Sequence, residues 1–203
     1  MNEPMPTPAI ADQEQSLCVR CGLCCDGTLF ERARVFREDD LARLEVEGFI
    51  LVDVAAGTRF ALPCHYHHNR ICTVYQQWRP QICHTFRCAL LRRLAAGELS
   101  LDEARAQIER TVALAERVRG QVPAEAEARR HSLKQAMRAF QDAQAAAGVD
   151  VNRTLAALLL DFASLQRLLD RHFRVEPDNE PASLLRPSPQ NGRAFARQGE
   201  ENE

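Results

Sequence analysis

Residues 16–27 read SLCVRCGLCCDG, a run in which Cys18, Cys21 and Cys24 recur at three-residue steps and Cys25 follows at once. Thiolates hold zinc, iron and iron–sulfur clusters alike, and CxxC steps bring several sulfurs within reach of one centre. The first three cysteines open like the ligand run of a bacterial ferredoxin, which places its fourth cysteine after three intervening residues, before a proline. Here Cys25 adjoins Cys24, and Asp26-Gly27 comes next. Adjacent side chains of an extended backbone point to opposite sides, so Cys24 and Cys25 are expected to serve different centres or different faces of one. Gly22 and Gly27 supply the positive backbone angles that let a loop fold its amides around sulfur.

The other four cysteines form a second block: Pro63-Cys64-His65, then Cys72-Thr73-Val74-Tyr75, then Arg79-Pro80-Gln81-Ile82-Cys83-His84-Thr85-Phe86-Arg87-Cys88. Zinc takes four ligands, so eight thiolates imply either two centres or one centre with structural or reactive thiols beside it. Crowded anionic sulfurs repel one another, and Arg20, Arg79 and Arg87 are near enough in sequence to offset that charge. Asp26, His65, His67, His68 and His84 could add oxygen or nitrogen ligands, although the HYHH run before Asn69 also fits an exposed polar turn. Tyr75, Trp78 and Phe86 are expected to cap the site by packing, since no basic patch accompanies them for stacking on a nucleobase.

The order CxxCGxCC, a lone cysteine, CxxY, RPxxC and FxC resembles the YkgJ-type cysteine-cluster family, described as zinc- or iron-chelating. It is carried here by Cys18 to Cys25, Cys64, Cys72 to Tyr75, Arg79-Pro80 to Cys83 and Phe86 to Cys88, over about residues 16 to 90. The resemblance implies a metal-chelating domain with Cys18, Cys21, Cys24, Cys25, Cys64, Cys72, Cys83 and Cys88 as candidate ligands. The cofactor it implies is zinc or iron, with an iron–sulfur cluster as one form of the latter. The resemblance implies no reaction. A related cysteine pattern in flagellin lysine methylases keeps a redox or protein-modifying enzyme as an alternative, without a Gly-rich nucleotide loop or a CxxxCxxC motif to support it. A third reading is a metal-stabilised interaction module.

Outward from the cysteines, Thr28 to Phe36 alternates as a half-buried strand, Glu38 to Val46 reads as a short helix, and Phe49 to Val54 and Arg59 to Leu62 read as strands. Beyond Ser100 the period becomes helical. Ser100 and Glu103 make a capping box for a helix ending at Gly120, Pro123 suits the first turn of a second, and Asp150 or Asn152 caps a third through Phe173. His131 and His172 are lone histidines there, best explained as surface or cap-adjacent residues. The expected fold is α+β: disordered tails at 1–15 and 175–203, a loop-rich cysteine domain at 16–99 and an antiparallel three-helix segment at 100–174. The arginine-rich surface of that helical half is where a protein partner would dock.

The formal net charge of −2 removes any bias toward nucleic acid or anionic lipid. The N-terminus lacks the basic start and apolar run of a secretory signal, so the chain is expected in the cytoplasm. Leu155 to Leu169 is interrupted by Asp161, Ser164, Gln166 and Arg167 and is too short and polar to span a bilayer. In a reducing compartment clustered thiols serve as ligands or redox groups, and a disulfide framework would require export.

Overall fold

The computed structural model describes residues 8–55, 57–122, 131–148 and 150–175. Its first element differs from the expected tail. α1 (Pro8–Cys21) starts on a proline, whose missing N–H is harmless in a first turn. A segment without periodicity is helical because tertiary contacts hold it: Leu17 is buried, and Glu14, only 4% exposed, pairs with Arg87 at 3.1 Å. Residues 1–7 and 176–203, the rest of the expected tails, lie outside the described residues. Cys18 and Cys21 thus sit on the last turn of a helix and not in a loop. Gly22, at φ +69°, ends it in the left-handed region that favours glycine.

After the cysteine loop come β1 (Arg32–Arg34), α2 (Leu41–Val46), β2 (Leu51–Val54) and β3 (Gly57–Ala61). The three strands form an antiparallel sheet in the order β1-β3-β2. Its register sets Phe60 between Ala33 and Leu51, and Arg59 between Arg34 and Val52. Strand alternation therefore puts the aromatic and the arginine on opposite faces. Phe60, Leu51, Val35, Leu44, Phe49 and Leu62 make a small core beneath the sheet. α2 is capped by Asp40, whose carboxylate accepts from the amides of Ala42 and Arg43.

The HYHH run forms part of a hairpin. β4 (His67–His68) pairs with β5 (Ile71–Cys72), so that His67 stands opposite Cys72. Asn69 and Arg70 turn the chain with φ of 48° and 65°, the backbone that a two-residue hairpin loop requires. α3 (Ile82–Thr85) and α4 (Ala89–Ala95) follow.

The long helices are α5 (Leu101–Gln121), α6 (Leu133–Ala146) and α7 (Arg153–His172). α5 carries the expected Ser100–Glu103 capping box, and Asn152 caps α7 by accepting from Leu155 at 2.9 Å. α6 has its own box, Ser132 with Gln135, and begins at Leu133; Pro123 lies outside the described residues. The main core joins these helices to the first cysteine block and α4 through Leu17, Leu23, Leu29, Leu90, Val112, Leu165 and Phe173. Hydrogen bonds tie the same parts. Leu133 N–H donates to the Gly27 carbonyl at 3.1 Å, and Ala89 N–H to that of Phe173 at 3.0 Å. Among the described residues no helix is long and apolar enough to cross a membrane.

Candidate metal centre

The loop after α1 is held open by its own backbone. Asp26 N–H closes a turn on the Gly22 carbonyl at 2.9 Å, Leu29 N–H bonds the Leu23 carbonyl at 2.8 Å, and Leu23 is buried as the anchor between the flanking cysteines. Asp26 is a fastening and lies off the cavity described below. Its carboxylate accepts from Thr28 N–H at 2.7 Å, and Arg119 on α5 donates to the Asp26 carbonyl at 2.7 Å and to Thr28 Oγ1 at 3.0 Å. Burial raises the Asp26 pKa, opposed by the Arg119 charge.

The second cysteine block docks on this loop through the main chain. Cys64 N–H donates to the Cys25 carbonyl at 2.7 Å, and His67 N–H to that of Cys64 at 3.0 Å. The RPxxC stretch is placed by a buried acid: Asp39 accepts from Phe36 N–H and from Gln81 N–H, each at 2.8 Å.

Between the blocks lies a cavity of about 430 Å³, with Cys18, Cys24, Cys25, Cys64, Cys72 and Cys83 in its wall. Cys21 and Cys88 stand behind it. Cys88 is buried and Cys21 is half-buried, both packed on the helical core. All eight cysteines are free thiols. Among the described residues no three Cys, His, Asp or Glu side chains are already grouped at metal-holding geometry, so the sulfurs ring the wall without closing on one point.

Burial raises the pKa of Cys18, Cys21, Cys24, Cys25, Cys64, Cys83 and Cys88. Burial pushes Cys21 and Cys83 up to about 12 and Cys88 to about 11, and neighbouring thiolates add to the rise. Cys24 and Cys25 rise well above the usual thiol value, and Cys18 and Cys64 also rise, in each case chiefly through burial. Cys18 and Cys83 nevertheless open to the surface, where water softens that effect. Of the three arginines expected to offset thiolate charge, Arg79 opposes the rise at both Cys18 and Cys83. Its guanidinium lies over the Tyr75 ring at 4.1 Å. Arg87 reaches the cavity wall but is paired with Glu14, and Arg20 is not in the wall.

Of the histidines, His67 alone is in the wall. Its Nε2 is buried and has no hydrogen-bond partner among the described residues; it lies directly above Gly22, where a Cβ would come within 2.3 Å of it. Burial lowers its pKa, favouring the neutral imidazole that can coordinate a metal. His65 packs against Phe49 and Tyr66, with ring centroids 5.0 and 4.1 Å away. His68 is exposed, and His84 is exposed with Nδ1 3.5 Å from Arg79. Tyr75, Trp78 and Phe86 line the cavity, Phe86 edge-on to Phe30 at 5.3 Å.

Sequence reasoning missed Arg32, Arg34 and Arg59, which also line the cavity. The available signal was the Arg-x-Arg alternation in a strand, but only the register shows that Arg34 stands opposite Arg59.

Soft sulfurs with a neutral imidazole suit zinc and iron, so the donor set fits the metals that the cysteine pattern implies. No curated protein and no solved structure matches this chain. Residues 17–112 match the family model described as "CxxCxxCC: Putative zinc- or iron-chelating domain", a span that contains every cysteine and reaches into α5. The cysteine-bearing segment of this chain, residues 17–112, is thus similar to the CxxCxxCC family of zinc- or iron-chelating domains.

Proposed function

We propose that this chain holds zinc or iron through its cysteines, in an assembly completed only where the two cysteine blocks meet. The observation that carries this reading is the cavity of about 430 Å³ whose wall takes six thiols from both blocks. Bound metal supplies the positive charge that stabilises buried thiolates, so uptake releases their protons. The residues themselves favour two centres. Cys21, Cys24 and Cys88 pack against the helical core, Cys64 packs against the sheet core, and Cys64 is bonded to the backbone of Cys25. One set is then Cys18, Cys21, Cys24 and Cys88, the other Cys25, Cys64, Cys72 and Cys83, with His67 as a nitrogen donor beside them. Clustered free thiols of this kind belong to the reducing cytoplasm.

Elemental analysis and the visible spectrum of anaerobically purified protein test the reading. Metal in stoichiometric amount is expected. Protein that purifies without metal and takes none up on anaerobic reconstitution would refute it. A chelator should expose residues 63–88 to protease while α5 and α7 stay protected, because a structural metal contributes on the order of 10 kcal/mol to folding a small unit. A second reading, in which an iron–sulfur cluster serves a redox or protein-modifying reaction, is favoured by the cavity itself. Its volume suits a ligand, and Tyr75, Trp78 and Phe86 line it beside the thiols. Colourless protein containing zinc alone would rule that reading out.

A further inference from the structure

Arg34 on β1 stands directly opposite Arg59 on β3, and Arg32 lies two residues back on the same face. Like charges directly opposite one another destabilise a sheet. The third strand sets Val52 beside Arg59, while Asp53 lies on the other face and accepts from Thr58 Oγ1 at 2.8 Å. Arg59 is half-buried, and among the described residues its guanidinium donates to the neighbouring Thr58 carbonyl, at 3.3 Å. Burial and, beside it, the Arg34 charge push its pKa down.

Arg32 and Arg59 line the thiol cavity and also a second cavity of about 400 Å³. The other charged residues of that second cavity are Glu31, Lys134 and Arg174. Glu31 is shared between Lys134 at 3.8 Å and Arg138 at 3.5 Å, and Arg174 is occupied by Asp170 and Gln166. The remaining charge is that of two guanidinium groups, which match the planar oxygens of an oxyanion. A phosphate monoester carries about −1.5 to −2 at neutral pH and balances that pair better than a single carboxylate. The cavity volume is that of a small-molecule site.

We propose that Arg32 and Arg59 form an anion site for the phosphate group of a small ligand, at the edge shared by the two cavities. The site does not depend on the metal. Arg32 supplies the exposed arm that meets the ligand, and Arg59 the half-buried one.

The test titrates the full chain with inorganic phosphate at constant ionic strength, read as the rise in thermal midpoint and as ³¹P line broadening. Chloride and acetate serve as parallel arms. Phosphate should raise the midpoint saturably where chloride and acetate do not. The double variant R32A/R59A should bind about tenfold or more weakly, since hydrogen bonds to charged groups contribute about 1.5–3 kcal/mol. R105A, on the exposed surface of α5, should bind as the parent does. Because removing Arg59 also relieves the pairing with Arg34, the phosphate-free midpoint of R59A should hold or rise. A fall would instead mark Arg59 as part of the fold's own framework and count against the site. Equal effects of chloride and phosphate, or unchanged binding by R32A/R59A, would overturn the proposal. Acetate acting as well as phosphate would overturn its assignment to phosphate.

Discussion

Replacing Gly22 by alanine separates two costs that the structure keeps distinct. The first is backbone strain: Gly22 has φ +69°, and a side chain in that region costs about 1–2 kcal/mol. The second is collision, because the new Cβ would stand 2.3 Å from His67 Nε2 and 2.7 Å from Cε1. The imidazole must leave its place in the cavity wall, and overpacking of that kind costs about 1–3 kcal/mol. Gly97 supplies the comparison. Its φ is +72°, with nothing within 4 Å of a built Cβ, so G97A has the strain alone. Urea unfolding of metal-free protein should therefore show G22A less stable than G97A by about 1–3 kcal/mol. In an H67A background that difference should vanish, which makes the pair a double-mutant cycle. The same variant should lose metal through displacement of His67, whereas G97A should keep it. If G22A and G97A are equally stable, or if H67A leaves the difference intact, the assigned contact is wrong.

R119A should destabilise the fold by about 2–3 kcal/mol in a denaturant titration, because it removes charged hydrogen bonds to the Asp26 carbonyl and Thr28 and leaves a half-buried carboxylate behind. C88S should separate folding from metal binding. Cys88 is the N-cap of α4 without a side-chain cap bond, and serine is a favoured N-cap, so circular dichroism should show the helices kept while metal content falls. The metal-free protein should lose stability as pH rises from about 9, the ordinary thiol value, toward about 12. Across that window the unfolded chain has released thiol protons that the folded chain still holds, so unfolding is favoured; equilibrium melts at stepped pH check the slope. R79A should weaken metal uptake at neutral pH, measured by chelator competition, because the Arg79 charge holds down the pKa values of Cys18 and Cys83.

How far the cysteines could be read depended on the range of the interactions involved. The Ser100–Glu103 capping box, the cap of α7 and the periods of α5 and α7 are local, and they were legible because a helix cap is satisfied within four residues. Gly22 and Gly27 were legible for the same reason, since each needs its positive φ wherever the rest of the chain goes. α1 was not legible. Its residues lack a stripe, and the Arg87 that pairs with Glu14 arrives from far along the chain. Among the histidines, local pattern could not separate His67 from His65 or His84, because what singles it out is the approach of the β4–β5 hairpin to Gly22.

The sequence by itself determined the chemistry: eight thiols in two blocks, an adjacent pair at Cys24 and Cys25, and the family pattern that residues 17–112 carry. Those are properties of residue type and spacing, which survive any arrangement of the chain. Only the tertiary structure decided which thiols share a cavity, that Cys21 and Cys88 stand behind it, and that Arg34 faces Arg59 across the sheet. Those depend on strand register and on hydrogen bonds such as Cys64 to Cys25, contacts between residues far apart in the chain that no local propensity encodes.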